Sequence, residues 1–432
     1  MQLEQNRYKM RLKSHHDSSE NFKYLIKGSK TLSKQLNENY KKNKKGAIYV
    51  HVPFCKKICT FCNMRRNLMS PPPDYADLVV KQIENYSKFK YITDSKYDAV
   101  YFGGGTPTAL DSGDLRKILR AIRNYLPLTE DCEITIETTI SELSDDKIGM
   151  FYEEGVNRFS IGVQTFSDNG RAVLGRIGKK EVAIERINKL KEIGFSNVNI
   201  DIIYNYPEET LDEAIEDINT VIDLDLAGFS FYSLIINEKA TLGKIIGDSK
   251  DFYERNFERE KMFFNGISKE ALKNGFKFLE LTKIVKPDRD KYKYIVRRHN
   301  GEDTLPIGAG AGGYIGNTLV MNSLKMDSFR EEVKNIENIS GMEVNSYYDL
   351  IKMVVGQVQM ANIDLNTIED DKNREIVKNF IKELEKEDFV EKVDDKYNLT
   401  TRGVFWGNNI SNEISSLLIR NIFSSLNNTS KL

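Results

Sequence analysis

Cysteine, histidine, tryptophan and proline are all scarce in this chain of 432 residues, which holds four Cys, four His, one Trp and nine Pro. Four cysteines are too few for a disulfide framework in a chain this long, and three of them cluster in one loop, which suits a reducing compartment. Zinc ribbons pair two C-x2-C units, and only one is present. No apolar run is long enough to span a membrane. The stretch Met1 to Met10 is polar with no apolar segment behind it, so no signal peptide is expected and the cytoplasm is the expected compartment. Charge of one sign is lacking too: the net charge is −1 with 29% charged residues, so no basic excess points to nucleic acid. The short basic run Lys41 to Lys45 reads as a solvated linker.

What is there begins with the loop. His51-Val52-Pro53-Phe54-Cys55-Lys56-Lys57-Ile58-Cys59-Thr60-Phe61-Cys62 has the spacing C-x3-C-x2-C and follows the apolar strand pattern Ala47 to Val52. Three thiolates without a fourth nearby can hold three irons of a cubane and leave one iron open, whereas a closed structural site uses four ligands. This spacing resembles that of the radical S-adenosylmethionine (SAM) enzymes. Cys132 alternates with Ile134 and Ile136 and reads as buried packing.

Strand-like runs recur at Ala47–Val52, Asp98–Gly103, Cys132–Glu137, Arg158–Val163, Asn197–Ile203 and Gly228–Tyr232, with helical patterns between them. One such helix follows Ser112 as N-cap and another follows Thr210. Strands buried on both faces would be apolar throughout. Here Glu133, Thr135 and Glu137 share one face, as do Arg158, Ser160, Gly162 and Gln164, and Asn197, Asn199 and Asp201. Polar faces must then line an interior. The expected fold class is α/β, a partial (β/α)6 TIM-like barrel with chemistry at the C-terminal strand ends. Four segments are expected: a polar, partly helical lead-in over 1–44, the barrel over 45–240, an α/β extension with a Gly-rich turn over 241–344, and a small winged-helix-like cover domain over 345–432. In the extension, Phe252 to Gly275 reads as one amphipathic helix, and in the cover domain Phe389 to Leu399 reads as a hairpin turning at Asp394-Asp395.

Gly103-Gly104-Gly105-Thr106-Pro107-Thr108 closes the second strand at the same barrel mouth as the cysteines, and its glycines let a ligand approach the backbone. Arg176 is placed to clamp a carboxylate or to be a surface arginine. Glu137 and Asp201 face the lumen, to hold ribose hydroxyls or an ammonium, or to pair internally with Arg158 or a lysine.

Tyr49 to Cys62, the Gly-Gly-Gly-Thr-Pro-Thr run, and Arg158 to Phe166 together resemble the oxygen-independent coproporphyrinogen III oxidase family of radical SAM enzymes over residues 46–235, more weakly beyond. The resemblance implies that Cys55, Cys59 and Cys62 hold a [4Fe-4S] cluster and that two SAM molecules bind beside it. It implies that Tyr49, Gly104 and Glu137 touch the first SAM, and that Phe61, Gly105, Thr106, Gln164, Arg176 and Asp201 line the two SAM sites. Within the family, Cys59-Thr60-Phe61-Cys62, Met64 in place of a further cysteine, Leu305 to Gly316 and Leu399 to Asn408 are most similar to the haem-utilisation branch, the anaerobilin synthases. Asn63-Met64 and Asn205-Tyr206-Pro207 depart from the family's usual Gly-Phe and Gly-Leu-Pro.

That branch implies a methyltransferase that opens haem to a linear tetrapyrrole and frees iron, with a low-potential donor such as flavodoxin or ferredoxin. In it a deoxyadenosyl radical activates the methyl of a second SAM, which adds to a meso carbon. For haem, His299 is a candidate ligand, Arg297 and Arg298 are candidates for the propionates, and Gly310 and Gly312 belong to the branch's Gly-rich stretch. A solvated basic turn is the plainer reading of Arg297 to Asn300. His15 and His16 sit in the lead-in, where a lid is conceivable. A decarboxylase of coproporphyrinogen III, another methylase and a haem chaperone are the alternatives.

Overall fold

The structure, a computed structural model, describes residues 7–13, 20–38, 45–64 and 70–429. His15 and His16 lie outside the described residues, as does most of the 41–45 basic run.

The expected strands form at β2 (Gly46–Val52), β3 (Tyr97–Gly104), β4 (Leu128–Thr139), β5 (Arg158–Gln164), β6 (Val198–Tyr204) and β7 (Gly228–Ser233). All pair in parallel in that order. The sheet runs on across the boundary expected near residue 240. Beyond β7 it adds β9 (Lys283–Val285) and then β8 (Lys277–Glu280), both antiparallel. On the other side, β10 (Thr304–Ile307) pairs in parallel with β2, followed by β11 (Gly312–Ile315), β12 (Thr318–Met321), β13 (Ser340–Val344) and β1 (Ile26–Thr31). The sheet ends at β1 and β8, so the barrel stays open.

Period-two alternation decides what each face meets. Outward Ile48, Val50, Val100, Phe102, Ile134, Ile136, Phe159 and Ile161 are buried in the main core beneath the helices Tyr75–Tyr86, Ser112–Tyr125, Asp145–Glu153, Lys180–Ile193 and Leu211–Asp223. Thr210 caps the last of these with a reciprocal capping box to Glu213. The cap of Ser112–Tyr125 is Asp111, not Ser112: its carboxylate accepts from the Asp114 amide at 2.8 Å. The helix expected over 252–275 is two helices, Ser249–Arg255 and Phe257–Lys273. At the break the Asn256 amide donates to the Phe252 carbonyl at 2.8 Å, a side-chain bond that competes with helix continuation.

The lead-in is helical only in part, because Ile26–Thr31 is an edge strand on β13. Its lysine-bearing, mostly exposed sequence has no apolar alternation to announce it, and such charge is how sheet edges avoid further pairing. In the C-terminal region the helices Tyr348–Gln359 and Asp371–Lys386 precede the hairpin β15 (Val390–Val393) and β16 (Lys396–Leu399), which turns at Asp394-Asp395 as expected. A short strand, β14 (Asn362–Ile363), pairs with β16, and the helix Gly407–Thr429 follows. Buried residues from Leu25 to Ile422 form one core, which joins this region to the barrel. Residues 7–13 strap the two together: Arg7 pairs with Glu413 and Glu387, and Arg11 and Lys13 pair with Glu260. Among the described residues no helix is long and apolar enough to cross a membrane.

Candidate active site

The cysteine loop leaves β2 at the barrel mouth and is tied down along its length. Phe54 is fully buried against the edge of Tyr75, with ring centres 4.9 Å apart. The Gly105 amide donates to the Val52 carbonyl at 2.9 Å and the Thr106 amide to the Phe54 carbonyl at 2.8 Å. Farther along, the Thr60 hydroxyl donates to the Val173 carbonyl at 2.8 Å, and the Leu242 amide donates to the Thr60 carbonyl at 2.9 Å. Phe61 packs against the apolar cluster of Leu174, Tyr206 and Leu242.

Glycine is required at 105 because a Cβ there would sit 2.6 Å from the Phe54 carbonyl oxygen, which is backbone and has no rotamer to yield. A Gly105→Ala chain is expected to lose about 1–3 kcal/mol to overpacking. Its reconstituted protein should hold less iron per chain than the wild type, and iron analysis beside a urea titration checks both.

Cys55, Cys59 and Cys62 are outside any disulfide and half-buried on the wall of a cavity of about 480 Å³. Arg176 donates from Nη1 to the Cys59 sulfur at 2.9 Å and from Nη2 to the Gly162 carbonyl, while its Nε is buried without an acceptor. Among the described residues no three acidic, His or Cys side chains converge as ligands of one ion. A cubane makes a different demand, since each thiolate binds its own iron. Three thiols on the wall of one open cavity, one touched by a guanidinium, fit such a cluster.

The same cavity is lined by Phe61, Gly104, Gly105, Thr106, Glu137, Gln164, Arg176 and Asp201, so eight of the nine expected SAM residues come together there. Tyr49 lies deeper: its hydroxyl bonds the His51 ring at 2.8 Å and its ring stacks with Tyr101 and Tyr294. Gln164 holds φ 74° at the end of β5, a left-handed backbone that a non-glycine residue keeps only where the surroundings enforce it. Asn205, at the end of β6, has φ 65°, so the departure from glycine there is the substitution that this conformation tolerates best.

Glu137 accepts from the Tyr101 hydroxyl and from the Gly104 amide. Burial pushes its carboxyl up to about 7. Asp201 accepts from the Ser160 hydroxyl at 3.3 Å. Neither acid pairs with Arg158, which instead makes a bidentate pair with Asp290, both bonds 2.9 Å.

The haem candidates fare differently. Arg297 is committed to Asp98 and Glu302, because a carboxylate buried in β3 needs a countercharge, so it is not free for a propionate. His299 faces the Glu280 carboxylate at 3.4 Å, and burial pushes its imidazole below the ordinary value. Gly310 and Gly312 do not line the cavity; Gly310 has φ 81° and packs the turn against His51 and Leu324. Lys13, Glu280, Gln359 and Asn408 also line the cavity and were not singled out in the sequence, since they come from segments whose patterns say only strap, edge strand or helix.

Residues 49–221 match the model of the Radical SAM superfamily. The chain is 30% identical over 294 residues to an anaerobilin synthase of Escherichia coli O157:H7, covering 67% of this chain and 65% of that protein, just under two thirds of its length. It is 30% identical over 277 residues to the heme chaperone HemW of Bacillus subtilis, covering 63% of this chain and 72% of that one. The chain belongs to the HemN-like radical SAM family. Its fold matches that of the Escherichia coli coproporphyrinogen III oxidase HemN with a TM-score of 0.71 at 21% identity, over 89% of this chain and 92% of that one. Membership of the radical SAM family implies a [4Fe-4S] cluster and SAM, and the three thiols of the loop suit the first.

Proposed function

We propose that this HemN-like protein is an anaerobic radical SAM methyltransferase that opens the porphyrin ring of haem to a linear tetrapyrrole and releases iron. The observation that carries this reading is the cavity, which runs from the cysteine loop past Glu137 and Asp201 to Glu280, Gln359 and Asn408. Gln359 and Asn408 belong to the cover region, so the cysteine loop and the cover region line one cavity. Met64, where the family's coproporphyrinogen enzymes carry a further cysteine, supports haem rather than coproporphyrinogen as substrate.

In this reading Cys55, Cys59 and Cys62 hold the cluster, which when bound supplies the electron that splits SAM to a 5′-deoxyadenosyl radical. The chain's own groups bind and orient. Gly104, Glu137 and, from deeper in the lumen, Tyr49 serve the first SAM, and Phe61, Gly105, Thr106, Gln164, Arg176 and Asp201 complete sites for two molecules. The orphaned Arg176 Nε offers a donor to a carboxylate. The strap and the C-terminal helices keep water from a radical. A low-potential flavodoxin or ferredoxin is the electron donor, and thiols outside any disulfide suit the cytoplasm.

Glu137 gives this reading a pH signature. Its carboxyl is protonated below about 7 and must ionise to pair with the cationic SAM. SAM affinity is therefore expected to rise with pH, by up to about tenfold per unit below that value, and to level off above it. Glu137→Gln should bind SAM weakly with a flat profile, as equilibrium dialysis between pH 5.5 and 8.5 would read.

Anaerobic incubation of reconstituted protein with haem, SAM and a low-potential reductant tests the function. Loss of the Soret band with a methylated linear tetrapyrrole and free iron is expected. Intact haem held stoichiometrically would sink the reading in favour of a chaperone, the alternative that the likeness to HemW favours.

A further inference from the structure

Arg176 reaches the cysteine loop because the backbone on both sides of it is pinned there. The Thr60 hydroxyl donates to the Val173 carbonyl, and Gly175 then lies so close to the loop that a Cβ on it would sit 2.9 Å from the Thr60 methyl carbon and 3.1 Å from the Thr60 amide nitrogen. Gly175 holds φ 67°, a left-handed turn that suits glycine. The buried Arg171 fixes the other side. It donates to the carbonyls of Val163 and Thr165 around the end of β5, and to those of Ile177 and Gly178. The Arg176 amide itself bonds the Arg171 carbonyl at 2.7 Å. None of these contacts uses the Arg176 side chain, so the guanidinium is delivered to Cys59 rather than drawn there by it.

That guanidinium faces two ways. Its Nη1 donates to the Cys59 sulfur at 2.9 Å and its Nη2 to the Gly162 carbonyl, which leaves three of five N–H groups without an acceptor among the described residues. The same side chain lines the cavity beside Gln164. A cysteine sulfur bound to iron keeps lone pairs that accept N–H donors, and such bonds help to set the potential of an iron–sulfur cluster. An added electron makes the sulfurs more negative, so a cation in contact stabilises the reduced state more than the oxidised one. A carboxylate on the cavity side of the same guanidinium cancels part of that charge. The half-buried setting limits screening by salt.

We infer that Arg176 is a redox-coupling residue: it raises the reduction potential of the cluster that Cys59 helps to hold, and a carboxylate bound on its cavity side takes that increment away. The inference rests on the cluster and SAM assignments proposed for this same site. The step it governs is the passage of one electron from the low-potential donor to the cluster, with no proton moved and no bond made or broken in the chain. Linkage makes the effect reciprocal, so reducing the cluster loosens the carboxylate by the factor with which the carboxylate disfavours reduction. With the carboxylate in place the reduced cluster is the stronger reductant. The electron is then passed on most readily when the cavity is occupied.

The test is an anaerobic redox titration of the reconstituted full chain, read by EPR of the reduced cluster. It is run with and without S-adenosylhomocysteine, which carries the carboxylate on a neutral thioether that is not cleaved. Without ligand, Arg176→Gln should shift the one-electron equilibrium towards the oxidised cluster by about tenfold, or about 59 mV, the size of one hydrogen bond to a charged group. Arg176→Lys keeps the charge without the fork and should fall between. S-adenosylhomocysteine should lower the wild-type potential further than that of Arg176→Gln. Each potential is read on the cluster that a variant retains, so a lower iron content does not mimic the result, and Arg176→Lys carries the comparison where Arg176→Gln retains too little. Variants with the wild-type potential, or a ligand shift as large in the variants as in the wild type, overturn the coupling and leave the cluster assignment standing. A wild type that takes up no [4Fe-4S] cluster overturns that assignment and the coupling with it.

Discussion

A Cys59→Ala chain will fold, will lose its cluster, and will cleave SAM only at background. Cys59 is the thiol that Arg176 touches at 2.9 Å, and its loop is held by backbone bonds that do not involve the sulfur, so the substitution removes a ligand without removing the loop. Two thiolates do not hold a cubane open at one iron, and a site that lacks a ligand loses the metal rather than a fraction of its rate. Arg176→Leu should be milder, about 10–100-fold in cluster retention or SAM cleavage, the usual effect of a group that supports a ligand. Cys132→Ala is the control. That thiol is buried on the outward face of β4, its ionisation pushed up to about 12 by burial, so it is a packing group and its removal should leave iron content and SAM cleavage intact. Iron analysis and anaerobic assay of 5′-deoxyadenosine rank the three variants. SAM cleavage by Cys59→Ala at the wild-type rate would remove the loop from the chemistry.

The loop was legible because its information is local. Spacing and the preceding strand are both read from a dozen consecutive residues, and strand alternation placed Glu137, Gln164 and Asp201 on the lumen side. The rest of the site was not legible, for physical reasons that differ by residue. The helices Lys293–His299 and Tyr348–Gln359, from separate segments, meet only because Gly356 has no side chain to strike the His299 backbone. Arg297 and Arg298 are adjacent in sequence and equally basic, yet helical rotation sends one to Asp98 and the other over the Tyr294 ring. Ser112 and Asp111 are both good caps, and only the amide geometry at Asp114 chooses between them. Strand β1 has a polar sequence because it is an edge, and edges carry no buried face to set a pattern.

The largest expected effect on stability lies in the lumen floor, at Asp290→Ala. Arg158 and Asp290 are both fully buried and joined by two parallel bonds, with the Tyr292 ring 3.9 Å from the guanidinium. Burial alone would push the Asp290 carboxyl up, but the Arg158 guanidinium overcomes it and holds the group down at about 2. The Lys283 ammonium stands 3.9 Å from the same carboxylate and has no hydrogen-bond partner of its own. Removing Asp290 therefore strands two buried cations, not one, and should cost at least about 3–5 kcal/mol, out of a total that is only about 5–15 kcal/mol for a typical protein. Arg158→Met leaves the carboxylate facing Lys283 and should cost less. The double variant Arg158→Met/Asp290→Leu should recover part of the loss, because an apolar pair carries no desolvation debt. Acid behaviour gives an independent reading. A carboxyl lowered by folding adds stability above its unfolded value near 4, and that stability is lost as pH falls through about 2. The wild type should therefore weaken steeply over this interval, and Asp290→Ala, weaker everywhere, should show a shallower slope there. Urea titrations at pH 7 and through the acid range measure both. If Asp290→Ala matched the wild type at pH 7, Arg158 and Lys283 would have to be neutralised by another group, and the lumen floor would be open to solvent or ligand rather than sealed by this pair.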